Sequence, residues 1–269
     1  MRKKTKGSSV IMWIISIYLI VPLALTGLYS LFTQWISIVP QGFTFQTYIE
    51  LFQDSEFWAS LGRTLLISFI PIVICTVVVL MAMYVTVVYL PKLDAVIKML
   101  CTIPYAIQGV VLPISILTLY VNAPEPFSNR LFMLVSAYCV VILPYVYQGV
   151  HNALTTVRAG ELLEAAQMLG AGRFYAFWNI IVPNITNGIL VSSMLSFAVV
   201  FGDFVIINTL AGNYFSTGQM YLYAAMKESG QKASAVIVLF FLITLFISLR
   251  TFSLERDHTD RHRRKHSNI

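Results

Sequence analysis

Long apolar runs separated by short polar breaks set the pattern of this chain. The runs fall at about residues 10–32, 60–90, 95–121, 131–150, 184–209 and 233–254. Each reaches the roughly 20 residues that a helix needs to cross the hydrocarbon core of a bilayer. The pattern predicts an all-α integral membrane fold with six transmembrane helices. The first run follows a basic stretch but is too long for a signal-peptide core, and no small-residue cleavage site follows it. It is read as an uncleaved first helix. The third run holds Pro104, Gly109 and Pro113, and the fourth holds Pro144. Prolines free backbone carbonyls that neighbouring helices or a watery cavity must satisfy, so these positions mark either packing kinks or breaks beside a pathway.

Composition agrees with the pattern. Apolar residues make up 58% of the 269 and charged residues 11%, about half the charged share of a soluble domain. Cys75, Cys101 and Cys139 all lie inside apolar runs without metal-ligand spacing and read as small core residues. The net charge of +6 does not point to nucleic acid, because the basic residues collect at the chain ends and in particular loops. With six spans both termini share one side, and that side carries 14 of the 18 lysines and arginines. The positive-inside bias places both termini, the 91–94 turn and the 151–183 segment in the cytoplasm. The expected division is a basic N-terminus at 1–9, a six-helix membrane domain at 10–254 and a polar, basic tail at 255–269. The outer segments 33–58, 122–129 and 210–232 are short. None is large enough to capture a small molecule alone, and Tyr214, Tyr221 and Tyr223 suit an interfacial helix.

One inner segment, about 151–183, is too polar to cross a membrane and is amphipathic. Leu162, Ala165, Ala166 and Leu169 repeat at i, i+3, i+4 and i+7, and so do Phe174, Phe177, Trp178 and Ile181. Each set predicts an apolar stripe on a short helix. Between them, Gly170-Ala171-Gly172 offers a left-handed cap and a sharp reversal. Glu161 and Glu164 suit the start of the first helix. Arg173 opens the second helix against the dipole preference, which implies a partner other than that helix. On pattern alone, such a hairpin lies on lipid or docks another protein.

The spacing favours docking. Glu164-Ala165-Ala166, three residues, Gly170, nine residues, Ile180, one residue, Val182-Pro183 resembles the EAA signature, E-A-A-x3-G-x9-I-x-L-P, of permease subunits of ATP-binding-cassette importers. Val182 for leucine is the one departure, and it keeps an aliphatic side chain. The motif also falls between the fourth and fifth apolar runs, as in that family. The resemblance implies that Glu164, Ala165, Ala166 and Gly170 form the core of an ATPase-docking element, with Ile180, Val182 and Pro183 fixing the second short helix to the bundle. It further implies a dimer of ATPase subunits that bind ATP and magnesium, a second permease copy or relative, and an extracytoplasmic substrate-binding protein. In that family, closure of the ATPase dimer moves the docking helices and switches the membrane helices between inward-open and outward-open states. The expected location is the inner, cytoplasmic membrane of a prokaryote. No G-x4-G-K-[ST] loop is present, and SGQKAS at 229–234 lacks its glycines. The chain is therefore expected to bind no cofactor and to be no enzyme itself.

For the pathway, Asp203 is the one acid embedded in an apolar run, within FAVVFGDFVIINTLAG. Intramembrane acids face bundle interiors or cavities, so Asp203 reads either as a pathway residue favouring cations or as a hydrogen-bonded packing group. Ser196 and Asn208 add polarity nearby and are weighed with it. GFTFQTYIELF at 42–52 looks like the outer segment of permeases of the polyamine, ferric-iron and phosphonate branch. The expected cargo is a small charged nutrient, polyamine first, then aminophosphonate or ferric iron. The alternative is a secondary transporter or channel without an ATPase, which would require more intramembrane charge and internal repeats. His258, His262 and His266 recur at helical spacing in the tail but read as part of a solvated basic terminus rather than a metal site. His151 reads as a lone interfacial residue.

Overall fold

The computed structural model describes residues 6–34, 41–107 and 109–267. Helix α1 spans Lys6–Tyr29 and is followed by a two-stranded antiparallel hairpin, β1 Phe32–Gln34 and β2 Gln41–Phe43, in which Phe32 pairs with Phe43. Then come α2 (Gln46–Gln53), α3 (Ser55–Val88), α4 (Asp94–Thr102), α5 (Val111–Tyr120) and α6 (Arg130–Thr156). Helices α7 (Ala159–Met168), α8 (Arg173–Ala176) and α9 (Val182–Asn184) form the polar segment, with a π turn at Phe177–Ile181 between the last two. The chain continues through α10 (Thr186–Phe201), α11 (Val205–Leu210), α12 (Gly218–Glu228) and α13 (Gly230–Ser267). Among the described residues four helices are long and apolar enough to cross a membrane, and six spans result when each of two bent helix pairs counts as one. The all-α membrane class holds; the strand pair Phe32–Gln34 and Gln41–Phe43 is an addition that hydropathy did not signal.

The chain divides into two units, one of Met1–Ala59 with Tyr221–Ile247 and one of Ser60–Met220 with Ser248–Ile269. The second holds the crossing of α6 and α10. Gly149 and Ala153 on α6 meet Gly188 and Ser192 on α10, small residues four apart on both helices. A methyl added at Gly149 would collide with the Ser192 side chain, and one at Gly188 with the Ala153 Cβ. Small residues at this spacing let two membrane helices approach backbone to backbone, where dispersion rather than hydrophobic burial drives association. Leu134, Ala137, Tyr138, Ile142, Val146 and Val150 continue the buried face of α6. Polar side chains in these helices bond back to their own turns: Ser196 Oγ donates to the Ser192 carbonyl (2.8 Å) and Ser68 Oγ to that of Thr64 (2.7 Å). Such bonds satisfy hydroxyls that lipid could not.

Two expected spans are not single rods. The third breaks after a 3-10 turn at Ile103–Ile107, Gly109 takes φ +87°, and the two halves meet at 99°. The fifth, expected as one helix over 184–209, ends instead at Phe201. At 16 residues, or about 24 Å, α10 falls short of the ~30 Å hydrocarbon core. Gly202 and Asp203 interrupt it before α11, and on its other side it bends by 65° from the Arg173–Asn184 segment. The apolar composition continues through this break, so hydropathy alone reads it as one span.

In the first unit, Phe57 is buried between the rings of Tyr221 (5.6 Å) and Phe240 (6.3 Å), and Tyr221 Oη donates to Asp54 Oδ2 at 2.6 Å. Ser30 and Tyr48 share a hydroxyl contact of 2.6 Å. The helix within 210–232 is α12, which carries Tyr221 and Tyr223, while Tyr214 lies in the turn before it. The backbone of α13 runs on through the basic tail, whose side chains from residue 251, His258, His262 and His266 included, lie outside the described residues.

Candidate docking site and translocation path

Helix α7 ends as its glycine requires. Gly170 takes φ +85°, its N–H donates to the Gln167 carbonyl (2.9 Å), and the Ala171 N–H reaches back to that of Ala166 (3.0 Å). This paired bonding is the Schellman motif, and it satisfies the carbonyls that a helix end leaves open. Gly172 then precedes α8 in extended geometry, and its carbonyl accepts the Ala176 N–H at 2.8 Å.

Which face of α7 packs differs from the expectation. Ala159, Leu163 and Ala166 are buried, while Ala165 is exposed and Leu169 stands 90% exposed. The cause lies in the sequence itself: Leu162-Leu163, Ala165-Ala166 and Met168-Leu169 are adjacent apolar pairs, so two faces fit the helical period equally well. The outward face is Glu161, Glu164, Ala165 and Met168, at i, i+3, i+4 and i+7. In the second half Ala176, Phe177 and Ile181 are buried, Trp178 is half-buried, and Phe174 and Tyr175 are about 60% exposed. Phe177 and Phe174 both pack edge-on against Tyr84 of α3, at 5.2 and 5.8 Å. The guanidinium of Arg173 lies over the Tyr89 ring at 5.6 Å, which supplies the partner its position called for. Ile180 and Val182 are half-buried and Pro183 is exposed.

The pathway candidates separate. Asp203 is half-buried, and its Oδ2 accepts both the Tyr138 hydroxyl (3.1 Å) and the Ile206 N–H in the first turn of α11 (2.9 Å). It ties α6 to the restart of the broken span. The carbonyl of Phe201, at the end of α10, accepts from Gln219 Nε2 at 3.1 Å. Ser196 is fully buried and bonded within its helix, whereas Asn208 is exposed. The three do not form one cluster by any hydrogen bond described. His151 is not alone, contrary to expectation: its Nδ1 lies 3.3 Å from Asp94 Oδ1, and its ring stacks on Tyr147 at 5.4 Å. Fifty-seven positions separate Asp94 from His151, and no motif joins them.

Over residues 79–256 the sequence matches the family described as binding-protein-dependent transport system inner membrane component. The chain belongs to this family. It is 24% identical over 187 residues, 70% of each chain, to the putative 2-aminoethylphosphonate transport system permease protein PhnV of Salmonella typhimurium. It is 27% identical over 201 residues to the chloroplastic sulfate permease 2 of Chlamydomonas reinhardtii, covering 70% of this chain and 54% of that one. The fold matches a crystal structure of a bacterial ABC transporter involved in the import of the acidic polysaccharide alginate, with a TM-score of 0.66 at 14% identity, over 94% of this chain and 99% of that one. This permease is thus a multi-pass subunit of an ATP-binding-cassette importer with the type I fold. Membership in the family implies an ATPase and a binding protein as partners.

Proposed function

We propose that the α7–α9 loop is where this permease receives its ATPase subunit, and that its cargo is a small oxyanion-bearing nutrient of the aminophosphonate class. The observation that carries the first part is the outward surface of the loop. Met168 and Leu169 are about 90% exposed, at the end of a helix whose C-terminus is closed by the Gly170 cap. Exposed apolar side chains held in fixed geometry mark an interaction surface. Glu161 and Glu164 share the α7 face with Met168, and carboxylates are repelled by an anionic inner leaflet, which favours a protein groove over lipid. Glu164, Ala165 and Gly170 then present a small, acidic contact, while Ala166 packs inward and Ile180, Val182 and Pro183 hold the second helix. ATP, with magnesium, is bound and hydrolysed on the ATPase dimer. A second permease, identical or similar, completes the path, a binding protein delivers cargo from outside, and both termini lie in the cytoplasm of a prokaryotic cell.

For cargo, the relatives named for aminoethylphosphonate and sulfate turn the preference from polyamine to small oxyanions. Asp203 supports this choice, because its carboxylate is engaged in holding a helix start rather than left open to attract cations. The family match also sets aside a secondary transporter.

The test is co-purification of the ATPase subunit of the same system with the native permease and with Gly170→Asp, together with uptake. The native chain is expected to retain the ATPase and the variant to lose both association and uptake; unchanged values for both would sink the docking assignment. Separately, the system's binding protein is expected to bind 2-aminoethylphosphonate in preference to spermidine, and the reverse order would overturn the cargo assignment.

A further inference from the structure

Beside the root of the docking loop, Asp94, Tyr147 and His151 meet on one carboxylate oxygen. Asp94 Oδ1 lies 3.3 Å from His151 Nδ1 and 3.4 Å from Tyr147 Oη, and the phenol lies 3.5 Å from the same imidazole nitrogen. Tyr147 is 1% exposed, its ring within 22° of parallel to that of His151. Surface ion pairs contribute little because two free side chains must be ordered. Here the buried phenol already fixes the histidine ring, so the carboxylate meets a partner held in place.

The two sides of this triangle belong to elements with different fates. Asp94 is the first residue of α4, a nine-residue helix that leads within a few residues to the 99° break of the third span. His151 lies in the last turns of α6. From there the backbone stays bonded, Val157 N–H to the Ala153 carbonyl and Arg158 N–H to that of Thr155, both at 3.1 Å, until α7 begins. The joint is Arg158 at φ +51°, the only non-glycine residue with positive φ among those described. A left-handed arginine costs roughly 1–2 kcal/mol, a strain that the surrounding structure must hold. A cavity of about 490 Å³, lined by Met83, Thr86, Pro91, Asp94, His151 and Arg158, adjoins both the joint and the triangle. The joint therefore has room to move, and the triangle is the contact that a moving α7 reaches through α6.

We propose that the Asp94–His151–Tyr147 contact is a positioning device that makes α4, and with it the inner half of the broken third span, follow the docking loop. This rests on the ATPase docking at α7–α9. A displacement of α7 carries the end of α6 with it, and His151 draws Asp94 along. Without the contact, α6 and α4 separate when the loop moves, and the break at Gly109 is no longer driven.

The experiment measures the distance between spin labels on non-natural side chains at Lys98 (α4) and Thr156 (α6), both exposed, in the permease bound to its ATPase. Measurements are made without nucleotide and with ATP and vanadate. The native complex is expected to give one narrow distance in both conditions. His151→Ala and, from the other side, Asp94→Asn are expected to retain the ATPase but to gain a second, longer population once ATP is added. The exchanged pair, Asp94→His with His151→Asp, is expected to lose that population again, which a merely structural role would not do. A native distance that itself changes with ATP, or variants that keep a single distance, would overturn the inference while leaving docking intact. A native permease that fails to hold the ATPase would overturn docking and the inference together.

Discussion

The crossing of α6 and α10 and the α7–α9 loop are both built from small and apolar residues, yet they use them in opposite ways. At the crossing, Gly149, Ala153, Gly188 and Ser192 leave no space for one further methyl. On the loop, Gly170 and Gly172 have nothing within reach of an added Cβ, and Met168, Leu169, Phe174 and Tyr175 stand exposed. The glycines of the crossing are there for space and those of the loop for backbone shape. The crossing is closed by direct backbone approach, whereas the loop ends α7 in a glycine cap and leaves Met168 and Leu169 open. Under the docking proposal, such a surface is completed by another protein.

Enlarging the crossing is expected to have the largest effect. Gly188→Ala places a methyl against the Cβ of Ala153, which cannot swing aside, and should cost about 1–3 kcal/mol as overpacking does. The thermal midpoint of the purified permease in detergent reads this, and Gly160→Ala, in open space on α7, serves as the control. Equal midpoints for the two variants would remove the distinction between crossing and loop.

Next comes the break in the fifth span. Asp203→Ala removes the acceptor for both the Ile206 N–H and the buried Tyr138 hydroxyl, which should cost about 1–3 kcal/mol. Asp203→Asn keeps an acceptor and should retain most stability and uptake. If Asn abolishes uptake while stability is unchanged, the charge itself serves the cargo and the assignment to helix positioning fails.

The same comparison shows what a single sequence makes legible. The spans appear because lipid demands long apolar runs, and the loop appears because its charges and glycines interrupt them. The cap at Gly170 was readable, since glycine after the last periodic residue has few other uses in a helix. The packed face of α7 was not, because its paired apolar residues satisfy two faces at once and only the tertiary contacts choose between them. Nor was the break at Gly202-Asp203, where apolar residues continue on both sides and the carboxylate turns inward to a tyrosine 65 residues away. The Asp94–His151 contact has the same character. A pair brought together by helix packing leaves no local period or motif.

A smaller effect is expected where α12 meets the start of α3. The Tyr221 hydroxyl, donating at 2.6 Å, holds the Asp54 carboxyl below its ordinary value, against a smaller opposing effect of burial. A depressed carboxyl contributes stability that is present above its unfolded value, near ~3.9, and is lost as the pH falls through the folded value. Tyr221→Phe should therefore shift acid unfolding to slightly higher pH, with a stability loss at neutral pH of less than about 1 kcal/mol for a carboxylate only partly buried. Tryptophan fluorescence followed during acid titration checks this. Superimposable curves would mean that the bond contributes nothing.

The loop surface allows the most direct test of the central claim. Leu169 is 90% exposed, whereas the native Cys75 and Cys101 are buried and Cys139 is partly so. Leu169→Cys, in membranes holding the permease with an ATPase subunit carrying cysteines along its permease-facing groove, should form a disulfide-linked adduct on mild oxidation. The native permease should form none, and the adduct yield should change when ATP is added. An adduct at no groove position, with the complex otherwise assembled and active, would contradict the assignment of this loop as the place where the ATPase is received.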